Sequence, residues 1–139
     1  MLIIPADTSR QADVRALVRT EAARAEATDE ETADLVQAVD ELVCNVIVHG
    51  YDGGPGEIEV AIARHGRELS VRIRDTAPPF DPRTHTEPRL DLPIEERPLG
   101  GMGIHLARAL TDRIDHRILP GGGNEVTVTK RLGTTERGG

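Results

Sequence analysis

Glu41, Asn45 and His49 are spaced four apart, so on a helix they stack in one strip. That places a carboxylate and an amide oxygen about 6 Å apart along the axis. A hard cation such as Mg²⁺ takes oxygen ligands and keeps several waters and substrate phosphates, so one protein amide can be enough. A carboxylate one turn away can accept a proton from an attacking hydroxyl. Taken alone, Glu41 and Asn45 read more readily as polar residues bordering a buried face, and the pair is weak evidence by itself. Asp75, followed by Thr76, Ala77, Pro78, Pro79, Phe80 and Asp81, is a second candidate. A carboxylate there can accept a hydrogen bond from an exocyclic amine, and small Ala77 lets a flat ring approach the backbone. The same Asp could instead be a turn residue bonding local amides. Gly100, Gly101, Met102 and Gly103 lead into a helical pattern from Ile104. Unpaired amides and the helix dipole at such a start form an anion site without any lysine, though a hinge and N-cap would have the same composition.

Other chemistries are disfavoured. Neither G-x-x-x-x-G-K-[ST] nor a G-x-G-x-x-G following a strand is present, and the five histidines (49, 65, 85, 105, 116) lack H-E-x-x-H spacing. No G-x-S-x-G occurs. The single cysteine, Cys44, excludes an intrachain disulfide and points to a reducing compartment.

The elements that must position these residues follow from periodicity. Val14, Leu17, Val18 and Ala22 predict a first helix of about four turns, with Thr8 or Ser9 as cap. Thr28 before Asp29, Glu30 and Glu31 predicts the start of a second helix. Its apolar arc, from Leu35 to Ile47, extends to Gly50, placed as a left-handed C-cap. The period then changes to two: Ile58, Val60 and Ile62, then Leu69, Val71 and Ile73, joined through His65, Gly66 and Arg67, predict antiparallel neighbours. Further strands are expected over 114–119 and 126–130, joined by a turn at Gly121 to Asn124, with an extra strand at Leu2 to Ile4. Residues 76–99 carry six of the nine prolines, which excludes a helix or central strand and makes this segment a candidate lid. A third helix starts near Ile104. The order suggests one α+β domain over 1–139, a two-layer sandwich.

The composition narrows the partners. The chain has 139 residues, one Phe, one Tyr and no Trp, so the core is aliphatic and a base-stacking platform for single-stranded nucleic acid is strongly disfavoured. Seventeen basic against twenty-four acidic residues give a net charge of −7, which repels a phosphate backbone and argues against direct nucleic-acid binding. No basic leader or long apolar run is present, so neither a signal nor a membrane span is expected, and the reading is cytoplasmic.

In their fixed order, the run from Glu41 to Asn45 with His49, Gly50 and Tyr51, the run from Asp75 to Pro82, the run from Leu99 to Ile104, and Gly123 to Val128 resemble the Bergerat-fold ATP-binding superfamily. Within it the chain is most similar to the bacterial anti-sigma-factor serine/threonine kinases, over nearly its whole length. The resemblance implies a mixed, mostly antiparallel sheet with three helices on one face. It implies ATP and Mg²⁺, with Asn45 as metal ligand, Glu41 as general base, and Asp75 binding the adenine amine. Ala77 would lie at the ring's edge and Asn124 nearby on the sheet, with the amides of Gly100, Gly101, Met102, Gly103 and Ile104 holding phosphates under the lid. Departures from the pattern are Ala77, where the superfamily often has Gly, and Asn124, where many relatives have Thr. The implied function is phosphorylation of an antagonist protein on Ser or Thr, with sequestration of a sigma factor by a homodimer. The alternative is a non-catalytic, nucleotide-regulated protein-binding module. A sensor histidine kinase would need a phosphoacceptor hairpin that 139 residues leave no room for.

Overall fold

Four of the five described strands alternate apolar residues on one face with polar residues on the other, and the apolar face is where the helices pack. The computed structural model describes residues 1–78 and 106–133. The elements are β1 (Leu2–Pro5), a 3₁₀ turn (Thr8–Arg10), α1 (Gln11–Arg24), α2 (Asp29–Asn45), β2 (Glu57–His65), β3 (Glu68–Asp75), β4 (Arg113–Ile118) and β5 (Asn124–Arg131). Residues 106–110 are also helical and bury Ala107 in the common core. The sheet order is β1-β2-β3-β5-β4. All four pairings among the described strands are antiparallel, so the α+β sandwich is as expected while the mixed component finds no parallel pair there.

The period-two pattern decides the layers. Ile58 and Val60 of β2, Leu69, Val71 and Ile73 of β3, and Val126 and Val128 of β5 are buried against Val14 and Val18 of α1 and Leu35, Val39, Leu42 and Val43 of α2. Burial of each such side chain contributes about 1.5–3 kcal/mol. The opposite face is polar. There Glu125 sits directly across from Arg74 and Arg117, accepting from Arg74 Nε at 2.6 Å and Arg117 Nε at 2.8 Å. Burial works to raise the Glu125 pKa, and these two guanidinium contacts outweigh it and hold the carboxyl below its ordinary value.

Helix ends differ in part from the expectation. Thr28 caps α2 in a full capping box: its Oγ1 accepts from Glu31 N–H at 3.0 Å, and Glu31 Oε1 accepts from Thr28 N–H at 2.9 Å. The first cap is neither Thr8 nor Ser9. Asp7, in extended conformation, accepts from Ser9 N–H at 2.9 Å and starts a 3₁₀ turn that runs into α1. Nor is Gly50 a left-handed cap. A π-helical turn, Val46–Gly50, continues α2, with Tyr51 N–H donating to Val46 O at 2.8 Å, and positive φ is first reached at Asp52 and Gly53.

Candidate functional site

The last α-helical residue of α2 is Asn45, and the π turn begins immediately after it. Such turns widen the helix and recur at functional sites. Here the widening breaks the expected strip: Asn45 is buried, at 5% exposure, while His49 is exposed. The Asn45 amide makes no hydrogen bond with a described residue, and its Nδ2 is fully buried. An unpaired buried polar group of this kind costs about 1–3 kcal/mol.

Asp75 ends β3 at 3% exposure. Its Oδ1 accepts from Ala77 N–H at 2.9 Å and from Asn124 Nδ2 at 3.0 Å. The local turn contact therefore coexists with a contact to a distant strand. Burial is the largest influence on this carboxyl and raises its pKa, against smaller opposing effects of Asn124, Ala77 and His116. Asn124 reaches Asp75 because the turn before β5 comes close: Gly123 has φ +96°, and a Cβ there would run into the Asp75 carbonyl oxygen. Nδ2 of Asn124 also lies 3.4 Å from Ala77 O and 3.2 Å from Pro78 O.

Asn45, Asp75 and Asn124 line one cavity with Leu42, Val46, Ile73 and Val126. Its volume is about 10 Å³, enough for about one water and far below the roughly 300–1,000 Å³ of a ligand pocket. A ring can enter only if the surrounding side chains give way. Ala77 is fully buried beside it. The donors present suit a purine amine and a hard cation: a buried carboxylate at a strand end, and across the cavity an amide whose oxygen has no described hydrogen bond. Glu41, one turn before Asn45, instead lines the groove between α1 and α2 with Arg15, Arg19, Gln37 and Asp40. Burial and then the charge of Asp40 push its pKa above the ordinary value. Asp40 is already engaged by Gln11 and Arg15, whereas Glu41 has no hydrogen bond or ion pair among the described residues. Gly100, Gly101, Met102, Gly103 and Ile104, and the lid from 79 onward, lie outside the described residues.

Two residues that the sequence reading named without giving them a role also build the site. Tyr51 hydroxyl donates to Glu57 O at 2.6 Å and accepts from Thr76 N–H at 2.8 Å, tying the π turn to the ends of β2 and β3. Its ring fills the space where a Cβ on Gly56 would stand. His116, on β4, places Nε2 3.1 Å from Asn124 Oδ1. The β4–β5 hairpin register carries the signal for it, since Ile118 pairs with Asn124 and His116 with Val126 on the same face.

Residues 4–130 match the family described as a histidine kinase-like ATPase domain. The chain is 31% identical over 121 residues to an anti-sigma F factor of Thermoanaerobacter sp. (strain X514), covering 86% of this chain and 84% of that protein. It is 28% identical over 133 residues to a serine-protein kinase RsbW of Bacillus cereus (strain AH820), covering 93% and 82%. In fold it is similar to a crystal structure of the RsbU and RsbW domains of a Mycobacterium tuberculosis protein, with TM-score 0.58 and 23% identity over 95% of this chain, which spans 33% of that longer one. With the match running from β1 to β5 across the helix, the strand end and the turn that build the cavity, the chain belongs to the histidine kinase-like ATPase domain family.

Proposed function

We propose that the chain is an ATP-dependent serine/threonine protein kinase and anti-sigma factor, which phosphorylates an antagonist protein in a partner-switching pathway in the cytoplasm. The observation that supports this most is the buried Asn45 amide, without a described hydrogen bond, in the same cavity as the Asp75 carboxylate. The unpaired atom, Nδ2, is a donor, so the group that completes it is an acceptor such as a phosphate oxygen, which leaves the amide oxygen for a cation. The printed names of the relatives, anti-sigma F factor and serine-protein kinase, favour the same reading.

In this reading Asp75 accepts the adenine amine, with Ala77 closing the ring's edge and Asn124 beside it. Asn45 offers its amide oxygen to Mg²⁺, which when bound neutralises phosphate charge. The amides of Gly100 to Ile104 hold the phosphates. Glu41, its proton affinity raised by burial and by Asp40, takes the proton of the acceptor Ser or Thr hydroxyl. The hydroxyl oxygen forms the new bond to the γ-phosphorus as the bond to the β–γ bridging oxygen breaks, and ADP leaves with that electron pair. The acceptor is a second folded protein, the antagonist; the sigma factor binds a homodimer of the chain.

The test is radiolabel transfer from ATP to candidate antagonists, beside calorimetric titration of Mg-ATP. Glu41→Gln keeps the helix and side-chain volume while removing the base, so transfer should be abolished and ATP affinity kept. A variant that transfers at the wild-type rate removes Glu41 from the mechanism. Wild type that binds ATP but transfers to no antagonist favours the non-catalytic binding module.

A further inference from the structure

The adenine carboxylate is the end of a hydrogen-bonded series that begins on the edge strand. His116 Nε2 lies 3.1 Å from Asn124 Oδ1, and Asn124 Nδ2 lies 3.0 Å from Asp75 Oδ1. The orientation of the amide is decided by its surroundings. One end faces three acceptors, Asp75 Oδ1, Ala77 O and Pro78 O, and must be the NH₂. The other end is then the oxygen, and the His116 nitrogen facing it must bear the proton. Both Asn124 hydrogens are thus directed at protein acceptors. Asn124, 1% exposed, acts on the carboxylate and not on a ring.

We propose that His116 and Asn124 form a positioning relay behind Asp75, holding Oδ1 so that Oδ2 is the oxygen offered to a purine 6-amino group. Asn124 can rotate by half a turn and exchange its oxygen and nitrogen. In the rotated state its oxygen would face the Asp75 carboxylate and two carbonyls, a repulsive set, and its NH₂ would face the imidazole N–H. His116 adds a hydrogen bond, from outside the cavity, to the orientation those three acceptors select. Gly123 is the other half of the device, because only a residue without Cβ lets the chain bring Asn124 against Asp75. The inference rests on the nucleotide reading of the cavity and adds to it a residue, His116, that touches neither the nucleotide nor the reacting atoms.

The experiment compares wild type, His116→Ala and His116→Gln, which keeps an N–H donor. Calorimetry measures Mg-ATP and the Mg complex of purine riboside triphosphate, which lacks the 6-amino group. His116→Ala should weaken ATP about five- to tenfold, the worth of one hydrogen bond, and leave the analogue within about twofold. His116→Gln should restore ATP binding. NMR of the Asn124 side-chain amide without nucleotide should show slow proton exchange in wild type and the Gln variant, and fast exchange in the Ala variant. Parallel loss of ATP and analogue affinity in His116→Ala, with a lowered Tm, overturns the positioning role in favour of a purely structural one. So does failure of His116→Gln to rescue. Wild type that binds ATP beside a His116→Ala variant that binds it equally overturns the relay alone. Wild type that binds neither nucleotide overturns the nucleotide reading and the relay with it.

Discussion

The adenine role proposed for Asp75 would set function against stability at a single residue. Its carboxylate is buried, and burial raises its pKa over that of an unfolded chain. A group with a raised folded pKa binds its proton more tightly in the native state, so its contribution to stability falls as pH rises through the window between the two values. At neutral pH the ionised Asp75 is therefore a cost to the fold. Asp75→Asn should remove that cost, because the amide oxygen can still accept from Asn124 and Ala77. The variant should keep or raise Tm at neutral pH while losing about 1–3 kcal/mol of ATP affinity. Thermal melts and calorimetry on the same preparation check both halves. A variant with lowered Tm would mean that the ionised form is needed by the fold, and unchanged affinity would sink the adenine assignment.

In the proposed mechanism α2 is the element on which most of the chemistry depends, because it holds Glu41 and Asn45 on successive turns. Its start is secured twice. The Thr28–Glu31 box satisfies two backbone donors, and Glu31 Oε2 also accepts from Gly133 N–H at 2.8 Å. Thr28→Ala should lower stability by about 1 kcal/mol, measured by urea titration. Burial works to raise the Glu31 pKa, but the hydrogen bonds from Thr28 and Gly133 and the charge of Lys130 outweigh it and hold it below its ordinary value. For a carboxyl with a depressed folded pKa the stabilisation is present above the unfolded pKa and is lost as pH falls through the folded one. The stability gap between wild type and Glu31→Gln should accordingly shrink on acidification below the ordinary Glu range. A gap independent of pH would show that the carboxylate charge contributes nothing. At its other end α2 widens into the π turn, and Tyr51 fastens that turn to β2 and β3.

The cavity exists only in the assembled molecule, since Asn45 comes from α2, Asp75 from β3 and Asn124 from β5. Distant contacts fix these elements together. Lys130 Nζ lies 3.1 Å from Asp34 Oδ2 and 2.8 Å from Leu110 O, joining β5 to α2 and to the helical stretch at 106–110. Among the described residues no helix is long and apolar enough to cross a membrane. A ligand that binds only this assembled state stabilises it by mass action. Mg-ATP at about 100 times its Kd should add about 2.7 kcal/mol, a rise in Tm on the order of 10 °C. If Asn45 acts through the cation, a chelator should abolish most of that rise. An equal rise with and without chelator would remove the metal role from Asn45, and no rise at all would remove nucleotide from the cavity.

How much of this was legible beforehand varies with the range of the interactions involved. Alternation at Ile58, Val60, Leu69, Val71 and Ile73, the Thr28 cap and the hairpin turns are local signals, and each led to the element observed. The order of the motifs pointed to Asn45, Asp75 and Asn124, which line one cavity. The extension of the helix as a π turn was not readable, because an i to i+5 bond uses the same apolar residues as an i to i+4 one, and it is Tyr51, fastened to β3, that accompanies the change. His116 was equally hidden. A lone histidine on a short edge strand has no motif, and its value comes from Asn124, which the close approach at Gly123 sets against a carboxylate 49 positions away. Sequence by itself determined which residues are apolar, at what period and between which turns, since these depend on neighbours a few positions apart. Only the tertiary structure decided which polar atoms are buried together and which of them lack a described partner, because desolvation and hydrogen bonding depend on everything packed around a group.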